Sequence, residues 1–247
     1  MRKFVIGGRF YGKEGDIVKL QDFVDRCLSV DPLKVFIAIK EEDDQSGVLN
    51  IQWPHNVEVY GVKPWGNFSP ALNSILIESR SQISEGANVL FASTEVVLTK
   101  EILSNLDKHL SDDALVVGAA LEGHAFVDGL SGNANGREIP WNTLALWNAQ
   151  KLWPTSFLRI GDGIVGDEKS AGVEEYTAIA AAQHRLGSKH SLAKLLRISG
   201  VKWETSFDDP ERQAKHESKM QSKVDRAAKQ LEELGAAQPI VQHISLI

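Results

Sequence analysis

The chain has 247 residues and 43% hydrophobic content, enough to bury one extended core, so a single domain with a terminal appendage is expected. A formal charge of −6 excludes a surface suited to non-specific nucleic-acid binding, and the one cysteine, Cys27, excludes an internal disulfide framework. No stretch approaches the ~20 apolar residues of a membrane helix and the N-terminus shows no signal-peptide core, so a cytoplasmic location is expected.

The apolar run Lys3 to Gly8 reads as a buried strand that ends in a glycine pair and a loop. A helix follows from about Asp16, with Ile17, Leu20, Phe23, Val24 and Leu28 at helical spacing and Asp31-Pro32 as the stop. Val35 to Ile39 is the second strand, opening into the acidic loop Glu41 to Gly47, and Val57 to Val62 is the third. Ser69 and Pro70 then start a helix that turns Leu72, Ile75 and Leu76 inward. Val89 to Ala92 is a fourth strand leading to Ser93-Thr94-Glu95, Thr99 caps the next helix, and Leu115 to Leu121 is a fifth strand. Short apolar strands alternating with amphipathic helices predict a mainly parallel sheet covered on both faces, with ligands at the carboxyl ends of the strands.

Beyond the fifth strand, His124 to Arg137 reads as a glycine-rich loop, and Leu144, Leu146 and Trp147 as part of a helix after Pro140-Trp141-Asn142. Val173 to Arg185 is an alanine-rich helix opening on Glu174 and Glu175. A long helix is expected from Asp209-Pro210 to Gly235. On it, Met220, Val224, Ala227, Leu231 and Leu234 make a seam suited to the domain or to a partner helix, hence to a homodimer. Arg212, Lys215, Lys219, Lys223 and Arg226 make a basic stripe, read as solvated or as a contact for an anionic acceptor, a diphosphate or a peripheral membrane surface. The division is thus 1–205 for the main domain and 206–247 for the helix and tail, the tail adding an edge strand or meeting a neighbouring subunit.

This order of strand, acidic loop, strand, Gly-x-x-x-x-Ala-x-Asn helix, polar strand exit and late acidic pair resembles the GT-A glycosyltransferases, especially their large inverting family, over roughly Lys3 to Leu186. The resemblance implies a Rossmann-like α/β enzyme that takes a nucleotide-sugar such as a UDP-sugar as donor, with an acceptor it does not identify. It implies base contacts from Gly8, Arg9 and the acidic group Glu41, Glu42, Asp43 and Asp44, and a nucleotide or diphosphate edge at the helix carrying Ala71 and Asn73. Glu175 matches the family's catalytic base, with Glu174 beside it, and Trp141 and Trp147 fall where an acceptor platform would lie. Each has a structural alternative: a capped core helix for Asn73, favourable helix-start acids for the glutamates, core packing for the tryptophans.

Family members carry Asp-x-Asp after the fourth strand, for the ribose and a divalent ion on the diphosphate, whereas this chain has Ser93-Thr94-Glu95. Glu95, with His216 as a late second ligand, could still hold manganese or magnesium, but one carboxylate in place of two weakens the site. Two rival readings stay open. Gly7-Gly8-Arg9-Phe10-Tyr11-Gly12-Lys13 has the glycine and lysine spacing of a phosphate-binding loop, with Glu14 where a hydroxyl should follow. The other is a non-catalytic domain of the same shape that binds a nucleotide or a partner.

Overall fold

The computed structural model describes residues 1–11, 17–41, 47–203, 211, 214, 218, 220 and 222–247, the side chain of residue 168 excepted. Glu42, Asp43, Asp44 and His216 lie outside the described residues, as do Gly12, Lys13 and Glu14 and the Arg212, Lys215 and Lys219 part of the basic stripe.

The fold is α/β, built on a nine-stranded sheet of order β3-β2-β1-β4-β7-β5-β8-β9-β6. The first four strands are β1 (Phe4–Phe10), β2 (Val35–Lys40), β3 (Val57–Val62) and β4 (Asn88–Ala92), all mutually parallel. Then come β5 (Ala114–Ala119), β6 (Ser131–Asn133), β7 (Leu144–Trp147), β8 (Leu192–Arg197) and β9 (Ile240–Ser245). Only β7, between β4 and β5, and β6, at the edge on β9, run against the rest. Both faces of the sheet are buried, and the period of two in each strand sorts its residues between two cores. Phe4, Ile6, Val35, Ile37 and Leu90 point to the face covered by α1 (Ile17–Ser29) and α4 (Lys100–His109). Val5, Phe36, Val89 and Phe91 point to the face covered by α2 (Ser69–Glu78), α3 (Arg80–Ser84), α5 (Ala149–Leu152), α6 (Glu174–Leu186) and α7 (Lys223–Leu234).

Several expectations change. Strand β1 does not end at Gly8 but pairs on to Phe10, opposite Ile39. A Cβ at Gly7 would lie 2.6 Å from Ile75 of α2, and one at Gly8 would lie 2.8 Å from Phe23 of α1, so the glycine pair lets two helices close on β1 from its two faces. The helix expected through Leu144, Leu146 and Trp147 is the strand β7, with all four residues buried between β4 and β5. A four-residue apolar run has no readable period, and here its backbone groups are claimed by strands on both sides. The strand β8 was not anticipated, and the tail is not an edge strand: β9 lies inside the sheet, with β8 on one side and β6 on the other.

The seam of α7 docks on the chain's own core through Ala227 and Leu231, and Gly235 ends the helix in the left-handed conformation (φ 61°). Among the described residues, no helix is long and apolar enough to cross a membrane.

Candidate active site

At the carboxyl ends of β1, β2 and β3 a cleft of about 690 Å³ opens, the position where parallel sheets bind ligands. Tyr11 follows β1, Lys40 ends β2, and Trp65 to Phe68 form the turn between β3 and α2. The far wall is Lys169 and Ala171, and α7 with the residue before it contributes Arg226 and Ser222. Tyr11 and Trp65 meet edge to face with ring centroids 5.4 Å apart, and the guanidinium of Arg9 sits 4.9 Å over the ring of Phe68. The lining therefore combines aromatic and cationic side chains, and no carboxylate belongs to it among the described residues.

The start of α2 was expected to offer free N–H groups to a diphosphate. Instead Asp162 takes them: its Oδ1 accepts from the amides of Phe68 (2.7 Å) and Ser69 (2.6 Å), while Asn67 Nδ2 donates to its carbonyl. Gly66 is left-handed (φ 62°), and a Cβ there would collide with the Asp162 carboxylate and Pro70. Asn73 is equally committed. Its Nδ2 donates to the Phe157 carbonyl (2.8 Å) and its Oδ1 accepts from the Phe157 amide (2.9 Å), so it ties α2 to the loop after α5 rather than turning to the cleft.

Behind the cleft wall lies a buried charge cluster. Glu174 and Glu175, 3% and 4% exposed, open α6, where the helix dipole favours acids. Arg9 approaches Glu174 at 3.9 Å, Lys223 is 7% exposed, and Arg226 donates to the Ala171 carbonyl at the cleft. The basic stripe, read as solvated or as a contact for an anionic group or surface, thus turns two members, Lys223 and Arg226, onto the acidic pair. Burial, then the neighbouring Glu175, push the Glu174 carboxyl up to about 7, against a smaller opposing pull from Arg9. Desolvation lowers Lys223, offset in part by Glu175 and Glu174. Glu175 Oε1 accepts from the Asn142 amide at 2.6 Å, while Glu175 Oε2, Arg9 Nη1 and Asn142 Nδ2 are buried with no hydrogen-bond partner. Three such groups in one place are costly, and a cost of that kind collects at functional sites.

The exit of β4 is self-contained. Glu95 Oε2 accepts from Ser93 Oγ, the Thr94 carbonyl accepts from Arg26 (2.8 Å), and none of the three residues lines the cleft. The turn carrying Glu95 is tied toward Glu175 through two consecutive residues: the Thr143 carbonyl accepts from the Ser93 amide, and the Asn142 amide donates to Glu175. The divalent ion of the GT-A resemblance does not fit the described donors. They include no cluster of three metal-binding side chains, and the one carboxylate at this turn is bonded to its own neighbour.

Neither tryptophan offers a face to an acceptor. Trp141 is 1% exposed, its ring covered by His124 (centroids 3.6 Å apart) and Lys223 Nζ (3.8 Å), and Trp147 is fully buried with its Nε1 donating to Asn142 Oδ1. Gly8 lies inside β1, with Phe23 and Ile37 filling the space where a side chain would stand, and the Gly7-Gly8 half of the phosphate-loop spacing is strand. Glu41 stays exposed at the end of β2, against Gly61. Sequence reasoning passed over Tyr11, Trp65, Phe68, Lys40 and Lys169; an aromatic cluster in loops at strand ends was the available signal.

No family model and no curated protein matches the sequence. Among solved structures the chain is similar to residues 1–349 of S. aureus TarS in complex with UDP-GlcNAc, at 16% identity and a TM-score of 0.47, over 72% of this chain and 52% of that one. It is also similar to a 4-diphosphocytidyl-2C-methyl-D-erythritol synthase, at 14% identity and a TM-score of 0.48, over 90% of this chain and 100% of the other. A third is the bifunctional glycosyltransferase WbbM, at 11% identity and a TM-score of 0.36, over 62% of this chain and 33% of that one. This chain spans about half the length of the TarS chain.

Proposed function

We propose that the chain is a nucleotide-sugar-dependent glycosyltransferase of the GT-A type, with its donor in the cleft at the ends of β1 to β3. The observation that carries this reading is the pairing of an aromatic and cationic cleft with a buried acidic pair one layer behind it. Aromatic faces suit a nucleobase and cations a diphosphate. In the reaction, an acceptor hydroxyl oxygen attacks the anomeric carbon, the bond from that carbon to the phosphate oxygen breaks, and the nucleoside diphosphate departs with the bonding electrons. The hydroxyl proton goes to Glu175 Oε2, the oxygen that lacks a partner, while the Asn142 amide holds Oε1 in place. Glu174, with its carboxyl pushed up toward neutrality, is a second proton-holding group beside it.

The test is a thermal-shift panel of UDP-, GDP-, TDP- and CMP-sugars followed by a turnover assay with the donor that binds. A selective rise in melting temperature is expected with one nucleotide class, and Glu175→Gln should lose at least about a hundredfold in turnover with donor affinity nearly kept. Unchanged turnover in the variant would remove Glu175 as base. A second reading, a nucleotide-binding domain without catalysis, is favoured by the sequestration of both glutamates under Lys223 and Arg226. Donor binding without turnover of any acceptor would select it.

A further inference from the structure

We infer that Lys40, Lys169 and Arg226 neutralise the donor diphosphate in place of a divalent metal, an inference that rests on the nucleotide reading above. The three cations come from separate elements: the end of β2, the 3-10 turn Glu168–Ser170, and α7. They line one cleft with no carboxylate in its described lining; Asp167 lies near Lys169, and Glu174 and Glu175 lie behind Arg226, all outside that lining. Among the described lining residues a dication meets three like charges and no carboxylate, while a diphosphate meets three opposite charges in a partly desolvated site. Arg226 is already positioned, with Nη1 donating to the Ala171 carbonyl and Nε to the Ser222 carbonyl, so little side-chain freedom is lost when an anion arrives. The turn where a metal would be expected spends its carboxylate on Ser93 and contributes none of its residues to the cleft lining.

Calorimetry on the full chain decides the matter, using UDP, GDP, TDP and CDP, each against its own nucleoside, in EDTA and in manganese chloride. In EDTA, at least one nucleoside diphosphate should bind about tenfold or more tighter than its nucleoside, the gain expected from a charge-assisted contact. Manganese should alter that ratio less than about twofold, and potassium chloride should reduce it, as screening requires. The exposed Lys169, changed to Glu, should remove most of the gain and leave nucleoside affinity and melting temperature unchanged, and Lys40→Glu should act in the same direction. A gain that appears only with manganese overturns the inference and leaves the nucleotide reading intact. A gain in EDTA that survives both substitutions overturns the assignment to these lysines. If no nucleoside diphosphate binds in either buffer, the nucleotide reading and this inference fall together.

Discussion

Glu174 carries a charge problem that its neighbours only partly solve. Its carboxyl is pushed up to about 7 from an ordinary 4.5, by burial first and by Glu175 second, so between those values the folded chain holds a proton that the unfolded chain has lost. The sign follows: this group's stabilising contribution is full below about 4.5 and is lost as pH rises through about 7. Melting temperatures of the wild type and Glu174→Gln between pH 4.5 and 8 should therefore diverge, the wild type falling relative to the variant toward neutrality. Parallel curves would show that Arg9 and Lys223 neutralise the carboxylate fully. The sequence made this acidic pair legible, because two glutamates at a helix start stand out. It could not disclose their cover: Lys223 and Arg226 lie on a helix that also carries Asp225, Lys229, Glu232 and Glu233, and only the packing of Ala227 and Leu231 rotates those two inward.

The helix α2 illustrates how an element's start can be identified from sequence and its chemistry misassigned. The helix start at Ser69-Pro70 and the inward Leu72, Ile75 and Leu76 were readable and hold, but Ser69 is not the cap: Phe68 takes that position, and the Ser69 hydroxyl donates to the Leu158 carbonyl. The partner of its free amides was not, because Asp162 is 93 residues from Ser69 along the chain. Asp162 accepts two amide bonds at 2.6 and 2.7 Å, so Asp162→Ala should cost about 2 kcal/mol, measured as a lowered urea midpoint with unchanged slope. A loss below about 0.5 kcal/mol would mean that solvent replaces the carboxylate at no cost. Strand β7 failed for a different reason: LALW is equally apolar as helix or strand, and its fate is decided by β4 and β5 competing for its backbone.

At the scale of the whole molecule, the doubly covered parallel sheet was legible because each strand and helix carries its own period, while the return of the C-terminus into that sheet was not. The expected unit 206–247 ends in β9, which pairs with β8 over five residues and carries β6 on its other side. Val241 is fully buried, His243 Nε2 pairs with the Glu138 carbonyl at 2.8 Å, and Gln183 brackets Ile240 by donating to its carbonyl and accepting from its amide. Removing 236–247 would strip one of the two partners from β8, leave β6 with no strand to pair with, and open the core beneath α6. Loss of cooperative unfolding and edge-to-edge association are the expected outcomes, read by calorimetry and light scattering. A milder probe, Val241→Ala, should cost about 2 kcal/mol while leaving the chain monodisperse, because it deletes buried volume without breaking the ladder. If the truncated chain instead melts as one sharp transition near the wild-type temperature, β9 is an ornament on a sheet complete without it, and the cleft would be held by residues 1–235 alone.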